Sequence, residues 1–410
     1  MAGSLKATTP AENLLQSKWV RELMQWFTRE RQWINEQHLQ VCRIPALTFL
    51  EQKRAEWMVA QFKSLGWEAR LDRGGNVIAQ LDAKPQPASF VALTAHLDTV
   101  LAPRKAEEIG VAADGTFTGP GVADNGAGLA ALLAMARALK SIPELEPQLR
   151  KLLLIANVGE EGEGNLSGMR FLCRQSSLGK QIRSFLVMDG PAIDHITCQA
   201  LASRRFEISF SGAGGHSWSD FGVGNPVHAL SRAIALFTEH VAEVGPASSP
   251  RTSFNFGIID GGSSINSIPT GARTKVDIRS ESGTRIAELA DVLTACVERS
   301  QQVENERSSG GRVAAKIKEI GSRPGGGLAP GASILNHVRA VDALLAIRSH
   351  LDCASTDANI PLSMNIPAIS IGAGGRGGGA HTPSEWFHPE GREVGLRRIL
   401  LTLLLLLAEE

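Results

Sequence analysis

The sequence predicts an α/β protein: a mostly parallel mixed sheet flanked by helices, with a ferredoxin-like βαββαβ unit inserted. Three observations carry this. Continuous apolar runs that read as buried strands alternate with segments of helical period, the pattern of a largely parallel sheet. Acidic and histidine residues close several of those runs, and ligands of such sheets bind outside the carboxyl ends of strands. The middle of the chain breaks the alternation and reads β-α-β-β-α-β.

Helical periodicity covers about Ala11–Gln37 and again Leu47–Leu65, with Gly66 as the stop. Short strands at Glu68–Leu71 and Val77–Leu81 flank an RGGN turn. Phe90–Ala95 is a buried-type strand ending at His96. A helix is expected from about Ala127 to Lys140, after the DNGAG turn. Strand Lys151–Val158 then runs into Gly159-Glu160-Glu161-Gly162. A helix near Ser167–Leu178 leads to strand Ser184–Met188, which ends at Asp189. The insert comprises strand Arg204–Ser211, helix Asn225–Val244, strands Arg251–Ile259 and Ala272–Arg279, helix Thr284–Ser300 and strand Arg312–Ile320. The RPGGG stretch, Arg323–Gly327, reads as the linker back. These elements place a discontinuous catalytic domain at 1–202 and 323–410 and an inserted domain at 203–322.

With 410 residues and 43% apolar content the chain is long enough for two domains and a large core. Lys and Arg equal Asp and Glu at 42 each, so nothing favours nucleic acid or an anionic membrane as partner. Five cysteines without CxxC spacing argue against a disulfide framework or a thiolate zinc site, and suit a reducing compartment. The start, MAGSLKATTP, lacks the apolar region of a secretory signal. The most apolar run, Ile399–Ala408, is shorter than the ~20 residues a bilayer needs and reads as a buried C-terminal helix. A soluble, cytoplasmic protein is expected.

The chemistry lies in residues scattered over almost three hundred positions. His96 and Asp98 stand two apart in TAHLDTV, so on a strand they share a face, and a carboxylate commonly supports a ligating histidine from its other nitrogen. Asp124 lies in the glycine-dense GPGVADNGAG; a plain helix N-cap is the bland alternative, and a phosphate loop lacks its GK[ST] ending. Glu160 and Glu161 are adjacent, and adjacent strand residues face opposite ways, so one site can use both only if Gly159 and Gly162 bend the backbone. Asp189 follows SFLVM, and His381 follows the glycine run GAGGRGGGA. Taken singly each could be a turn or surface residue; His38, His240 and His350, in helical contexts, read as packing or surface residues. Taken together, oxygen and imidazole donors at separate strand ends suit two divalent cations. Three carboxylates and one hydroxide would neutralise two zinc ions, leaving Glu160 free to handle protons.

In this order, over nearly the whole chain, the motifs resemble the dinuclear zinc metallopeptidase and amidohydrolase family that includes tripeptidase T, aminoacylase, glutamate carboxypeptidase and succinyl-diaminopimelate desuccinylase. The resemblance implies His96 and Asp189 on one metal, Glu161 and His381 on the other, Asp124 bridging, Glu160 as general base and Asp98 behind His96. It also implies a cis peptide at Asp124–Asn125. Zinc is the expected ion; cobalt and manganese also fit such ligands. In the insert, SGAGGHSW resembles the family's GxxGHS and gives His216 the task of polarising the scissile carbonyl, from the neighbouring subunit in dimeric members. Asn266-Ser-Ile-Pro269 followed by Asp277-Ile-Arg279 resembles a substrate-carboxylate clamp, for which the planar fork of Arg279 is suited. Ser355 and Thr356, in STDAN, resemble a further loop of the substrate pocket. Where the family often reads HxDxVP, this chain has Leu101-Ala102-Pro103 after Val100. The glycine run before His381 looks most like tripeptidase-T-like members.

The implied activity is metal-dependent hydrolysis of an amide bond in a short peptide by a metal-bridging hydroxide, the insert serving as lid or dimerisation domain. The alternative is an N-acyl-amino-acid deacylase or carboxypeptidase with the same machinery. A binding module that kept the fold would have lost a ligand or the base, and here all are present. Closure of the two domains around substrate is expected.

Overall fold

In the computed structural model, residues 10–81, 87–245 and 247–409 are described. The expectations for the chain's start fall on residues 1–9, outside the described residues. Contacts divide the chain into two units, Met1–Ala200 with Gly327–Glu410, and Leu201–Gly326.

The larger unit is built on a mainly parallel mixed sheet. Its strands run in the order Glu68–Leu71, Val77–Gln80, Leu152–Asn157, Phe90–His96, Ile182–Met188, Ala368–Ile371 and His195–Ala200. Phe90–His96 pairs in parallel with both Leu152–Asn157 and Ile182–Met188, while the hairpin strand Val77–Gln80 joins Leu152–Asn157 antiparallel. Every residue of Phe90–His96 and of Leu152–Asn157 is buried, which is why these strands read as unbroken apolar runs. Their side chains part alternately to two cores. Val91, Leu93, Leu152 and Leu154 face Leu129, Leu133, Ile399 and Leu403 of helices Gly126–Lys140 and Arg392–Ala408. Ala92, Leu153, Ile155 and Phe185 face Met169 and Leu172 of helix Ser167–Gln175. Helices on both faces thus bring the carboxyl ends of the central strands out at one edge.

Helix Arg392–Ala408 is buried along nearly its whole length, as the leucine run predicts. It carries one fully buried cation: Arg398 donates from Nε and Nη2 to the two oxygens of Asp342, at 2.6 and 2.7 Å. Among the described residues, no helix is long and apolar enough to cross a membrane.

The smaller unit has the chain order strand Ala202–Ser211, helix Pro226–His240, strands Thr252–Gly261 and Gly271–Ser280, helix Gly283–Arg307, strand Ala314–Arg323, the predicted βαββαβ sequence. Its four strands are antiparallel, ordered second, third, first, fourth. Phe206, Ile208 and Phe210 alternate into a core shared with Phe237, Leu289 and Leu293 of the two helices.

Several expectations change. The first long helix is three, Pro10–Gln16, Lys18–Arg29 and Arg31–Cys42, because Ser17 takes an extended conformation and Glu30 leaves helical geometry. The next begins only at Gln52; Leu47–Leu50 turns instead, with Phe49 at a φ of 73°. His350 lies on strand His350–Ala354, not on a helix, and His38 is a fully buried helical residue. The RPGGG stretch is not purely linker, since Arg323 ends a strand and Gly326–Gly327 form another.

Candidate dinuclear metal site

Each proposed ligand leaves the larger unit's framework at a turn. His96 is the last residue of its strand, in register with Asn157. Asp124 sits between Gly121, at a φ of 77°, and helix Gly126–Lys140. A Cβ on Gly121 would stand 2.6 Å from Thr99 Cγ2, so only glycine lets the loop lie this close to the strand end. The expected cis peptide at Asp124–Asn125 is present. Glu160 and Glu161 follow strand Leu152–Asn157 between Gly159 and Gly162, both at positive φ, the irregular backbone that two adjacent acids on one site require. Asp189 follows Ile182–Met188, and His381 has a φ of 66° after the glycine run.

These residues converge. The two oxygens of Asp124 are divided between two histidines: Oδ1 stands 3.0 Å from His96 Nε2, and Oδ2 stands 3.1 Å from His381 Nε2. Glu161 Oε1 is 2.8 Å from His381 Nε2, and Asp189 Oδ1 is 3.8 Å from His96 Nε2. Among the described residues, His96, Asp124 and Asp189 form one set of donor atoms mutually within 4.8 Å, Asp124, Glu161 and His381 a second, and His96, Glu160 and Glu161 a third. Asp124 belongs to the first two sets, as a shared ligand would. The donors are imidazole nitrogens and carboxylate oxygens without a thiolate, a set that fits two divalent ions.

Ion pairing within this cluster sets the charges. Burial opposes a charge on His96, yet hydrogen bonds to Asp124, Asp189 and Asp98 carry its pKa well above the ordinary value. Hydrogen bonds to Asp124 and Glu161 push His381 up to about 10. Burial would raise Asp124, but His381 and His96 hold it far below the usual carboxylate range.

Asp98 does more than stand behind His96. The shorter contact to His96 Nδ1 is to the Asp98 backbone carbonyl, at 2.9 Å; the carboxylate is 3.6 Å away. The strand ends at His96, so Asp98 lies beyond it, and its side chain meets the acidic loop instead. Its oxygens accept the backbone N–H of Glu160 and of Glu161, each at 2.9 Å, and the Thr48 hydroxyl at 3.0 Å. The same carboxylate thus fixes the turn that aims both glutamates.

Other supporting residues were not singled out in the sequence. Asn125 donates to Met188 O and accepts from Gly190 N, flanking Asp189 on both sides. Glu51 accepts Gly159 N. Asp357, in STDAN, is buried and accepts Asn157 Nδ2 at 2.6 Å; burial pushes its carboxyl up to about 7, and its Oδ1 has no hydrogen-bond partner. An acid flanked by Thr and Ala in a loop gives no signal beyond turn propensity, so only tertiary contact reveals it. Thr356, by contrast, is buried with its hydroxyl accepting Ala358 N, and Ser355 is half-buried.

In the smaller unit, His216 is exposed on the short strand Gly215–His216, which pairs with Ser267–Ile268. Its Nδ1 accepts the backbone N–H of Trp218 and Ser219, which leaves the ring proton on Nε2. Asn266 is adjacent, its carbonyl accepting Ser217 N. Arg279 is at the other end of the sheet, opposite Ser203, whereas Gly271 is opposite Ser211. Arg279 donates from Nε to Asp277 Oδ2 at 2.7 Å.

Comparison with known proteins agrees with this architecture. Residues 76–203 match peptidase family M28, and residues 202–303 match the peptidase dimerisation domain. No curated protein matches the chain. Among solved structures, a tripeptidase from Staphylococcus aureus subsp. aureus Mu50 is similar at 18% identity, over 92% of this chain and 99% of that one, with a TM-score of 0.74. Aminopeptidase PepT from Bacillus cereus ATCC 10987 is similar at 18% identity, over 92% of this chain and 98% of that one, with a TM-score of 0.70. An amidase of the hydantoinase/carbamoylase family from Burkholderia vietnamiensis is similar at 18% identity, over 92% and 97%, with a TM-score of 0.67. At these identities the likeness is one of fold. The chain thus carries two domains of a metallopeptidase and amidohydrolase family, a peptidase family M28 domain and a peptidase dimerisation domain.

Proposed function

We propose that this chain hydrolyses an amide bond in a short peptide, as an exopeptidase of tripeptidase T type. The observation that carries the reading is the division of Asp124 between His96 and His381, with Glu161 and Asp189 completing the two sides. His96 and Asp189 would hold one divalent ion, Glu161 and His381 the other, with Asp124 shared; zinc is the expected metal. Bound there, the ions would supply a water acidified towards a pKa of ~7. Glu160, 4% exposed beside His96 and Glu161, takes the proton of the attacking water and passes it to the leaving nitrogen. His216, with its proton on Nε2, is a ready donor to the developing oxyanion, an interaction often worth ~3–4 kcal/mol. Arg279 clamps the substrate carboxylate, and Asn266, Ser355 and Thr356 line the peptide.

The insert's own geometry favours a homodimer. Gly271 to Arg279 spans roughly 27 Å at ~3.4 Å per strand residue. A short peptide cannot touch His216 and Asn266 at one end of the sheet and Arg279 at the other if all belong to one chain. Two copies, joined through the peptidase dimerisation domain, would let Arg279 come from one and His216 from its partner. Five free cysteines accord with a cytoplasmic home.

A panel of unblocked tripeptides against N-acyl amino acids tests the reading. Release of the N-terminal residue from the tripeptides alone supports it. Cleavage of the acyl substrates alone would favour the deacylase alternative, for which the fold shared with an amidase is the supporting observation. Glu160→Gln should retain two ions and lose roughly 10²–10⁴ in kcat; unchanged turnover would remove Glu160 from the mechanism.

A further inference from the structure

Behind the candidate ligands, one buried carboxylate is devoted to the backbone of the Asp124 loop. Glu385 is 3% exposed. Its Oε1 accepts Ala123 N at 2.7 Å and Asp124 N at 2.8 Å, and its Oε2 accepts Gly121 N at 2.8 Å. Its backbone carbonyl accepts Gly119 N at 3.0 Å. Gly119 and Gly121 lie at positive φ, and the loop turns the N–H groups of residues 121, 123 and 124 inward to meet one anion. Glu385 is itself four residues from His381, and the next residues, Trp386 and Phe387, pair antiparallel with Thr118 and Phe117. One side chain therefore joins the segment that carries His381 to the segment that carries Asp124.

The opposite side of the loop is held as well. His38 Nε2 is 2.6 Å from Val122 O, and His38 Nδ1 is 2.6 Å from Arg392 Nη2. Arginine only donates, so His38 must accept at Nδ1 and donate from Nε2 to the Val122 carbonyl. The N–H groups of residues 121, 123 and 124 are thus fixed by Glu385, and the carbonyl of 122 by His38. An ionised carboxylate buried near Asp124 is expensive unless fully hydrogen-bonded. A loop that needed only stability could be packed with neutral groups at lower cost. What the carboxylate adds is a fixed distance between two ligand-bearing segments far apart in the chain.

We propose that Glu385 is a positioning residue that locks Asp124 and His381 into one geometry, so that the two ion positions form or fail together. This rests on the reading of the cluster as a dinuclear centre. The test uses the metal-free full-length protein, Glu385→Ala, Glu385→Gln and a control, Asp342→Asn, that perturbs a buried pair elsewhere in the same unit. Amide hydrogen exchange is measured across residues 119–126, and Zn²⁺ affinity by titration. In Glu385→Ala the amides of 121, 123 and 124 should exchange at least tenfold faster, and affinity for both ions should fall ~10–100-fold. Glu385→Gln keeps the length and one acceptor oxygen, so it should show a smaller loss of the same kind, and it carries the test if the alanine variant does not fold. The control should keep wild-type affinity for both ions. Glu385 variants that bind both ions as tightly as wild type, or a control that loses them equally, would overturn the proposal. Wild-type protein that binds no divalent ion would overturn the dinuclear reading and the proposal together, and the exchange arm would still report whether the tether exists.

Discussion

Replacing Asp98 with asparagine isolates the residue that holds the general-base candidate in place. Its carboxylate is fully buried and accepts two backbone N–H groups, from Glu160 and Glu161, at 2.9 Å each. A bond to a charged acceptor contributes ~1.5–3 kcal/mol against ~0.5–1.5 for a neutral one, and an unsatisfied buried donor costs ~1–3 kcal/mol. The replacement amide keeps one oxygen for one donor and turns an NH₂ group towards the other. The sum is a loss of about 3–5 kcal/mol. That is a large part of a stability of ~5–15 kcal/mol but does not exhaust it. The variant should therefore fold, with a lower urea midpoint for the larger unit. Loss of the charge beside His96 should also weaken metal binding ~10–100-fold. Urea unfolding of the metal-free protein and Zn²⁺ titration at fixed pH measure the two effects. An Asp98→Asn protein with wild-type midpoint and wild-type affinity would refute the reasoning, because both backbone donors would then be indifferent to the carboxylate.

Metal binding should release protons. His381, pushed up to about 10, is charged in the metal-free protein at about pH 8, the pKa of His96 is raised in the same direction, and ligation requires neutral imidazole. A pH-stat at that pH should record net proton release on saturation with zinc; no release would contradict the charge assignment. The sign of the stability effect follows: a raised histidine pKa stabilises the metal-free fold fully below the unfolded value of ~6.5, and that contribution disappears as pH rises through about 10 for His381. The Tm of metal-free protein should accordingly fall across that window. Asp342→Ala strands the buried Arg398 and should cost ~3–5 kcal/mol in denaturant unfolding; a loss below ~1 kcal/mol would mean the pair is solvated. If His216 acts across a dimer, mixing inactive His216→Ala and Glu160→Gln chains should restore part of the activity, and no recovery in a proven mixed dimer would place His216 in its own subunit's site.

Much of this was legible in the sequence where one physical cause dominates. Strands Phe90–His96, Leu152–Asn157 and Ile182–Met188 read as apolar runs because both faces are covered, and a polar residue closing such a run must lie at the sheet's edge. That is how His96, the Glu160–Glu161 pair and Asp189 could be found. Asp124 and His381 required their glycines, since the backbone conformations at Gly121 and before His381 cannot be read from polarity alone. What stayed hidden is tertiary. The periodicity of the first helices runs on past Ser17 and Glu30, where the backbone breaks without a proline or glycine. Glu385, Asp357 and His38 act through partners up to hundreds of residues away, and nothing local distinguishes them from surface groups. The two ends of the insert's sheet also looked like one clamp in sequence, because Asn266 and Arg279 are only a strand apart; the strand's length is what separates them.

The most direct test of the central claim is anomalous diffraction from crystals of the zinc-loaded protein. Two peaks are predicted, one between His96 and Asp189 and one between Glu161 and His381, with Asp124 reaching both. A single peak, or two peaks that leave Asp124 unligated, would contradict the account.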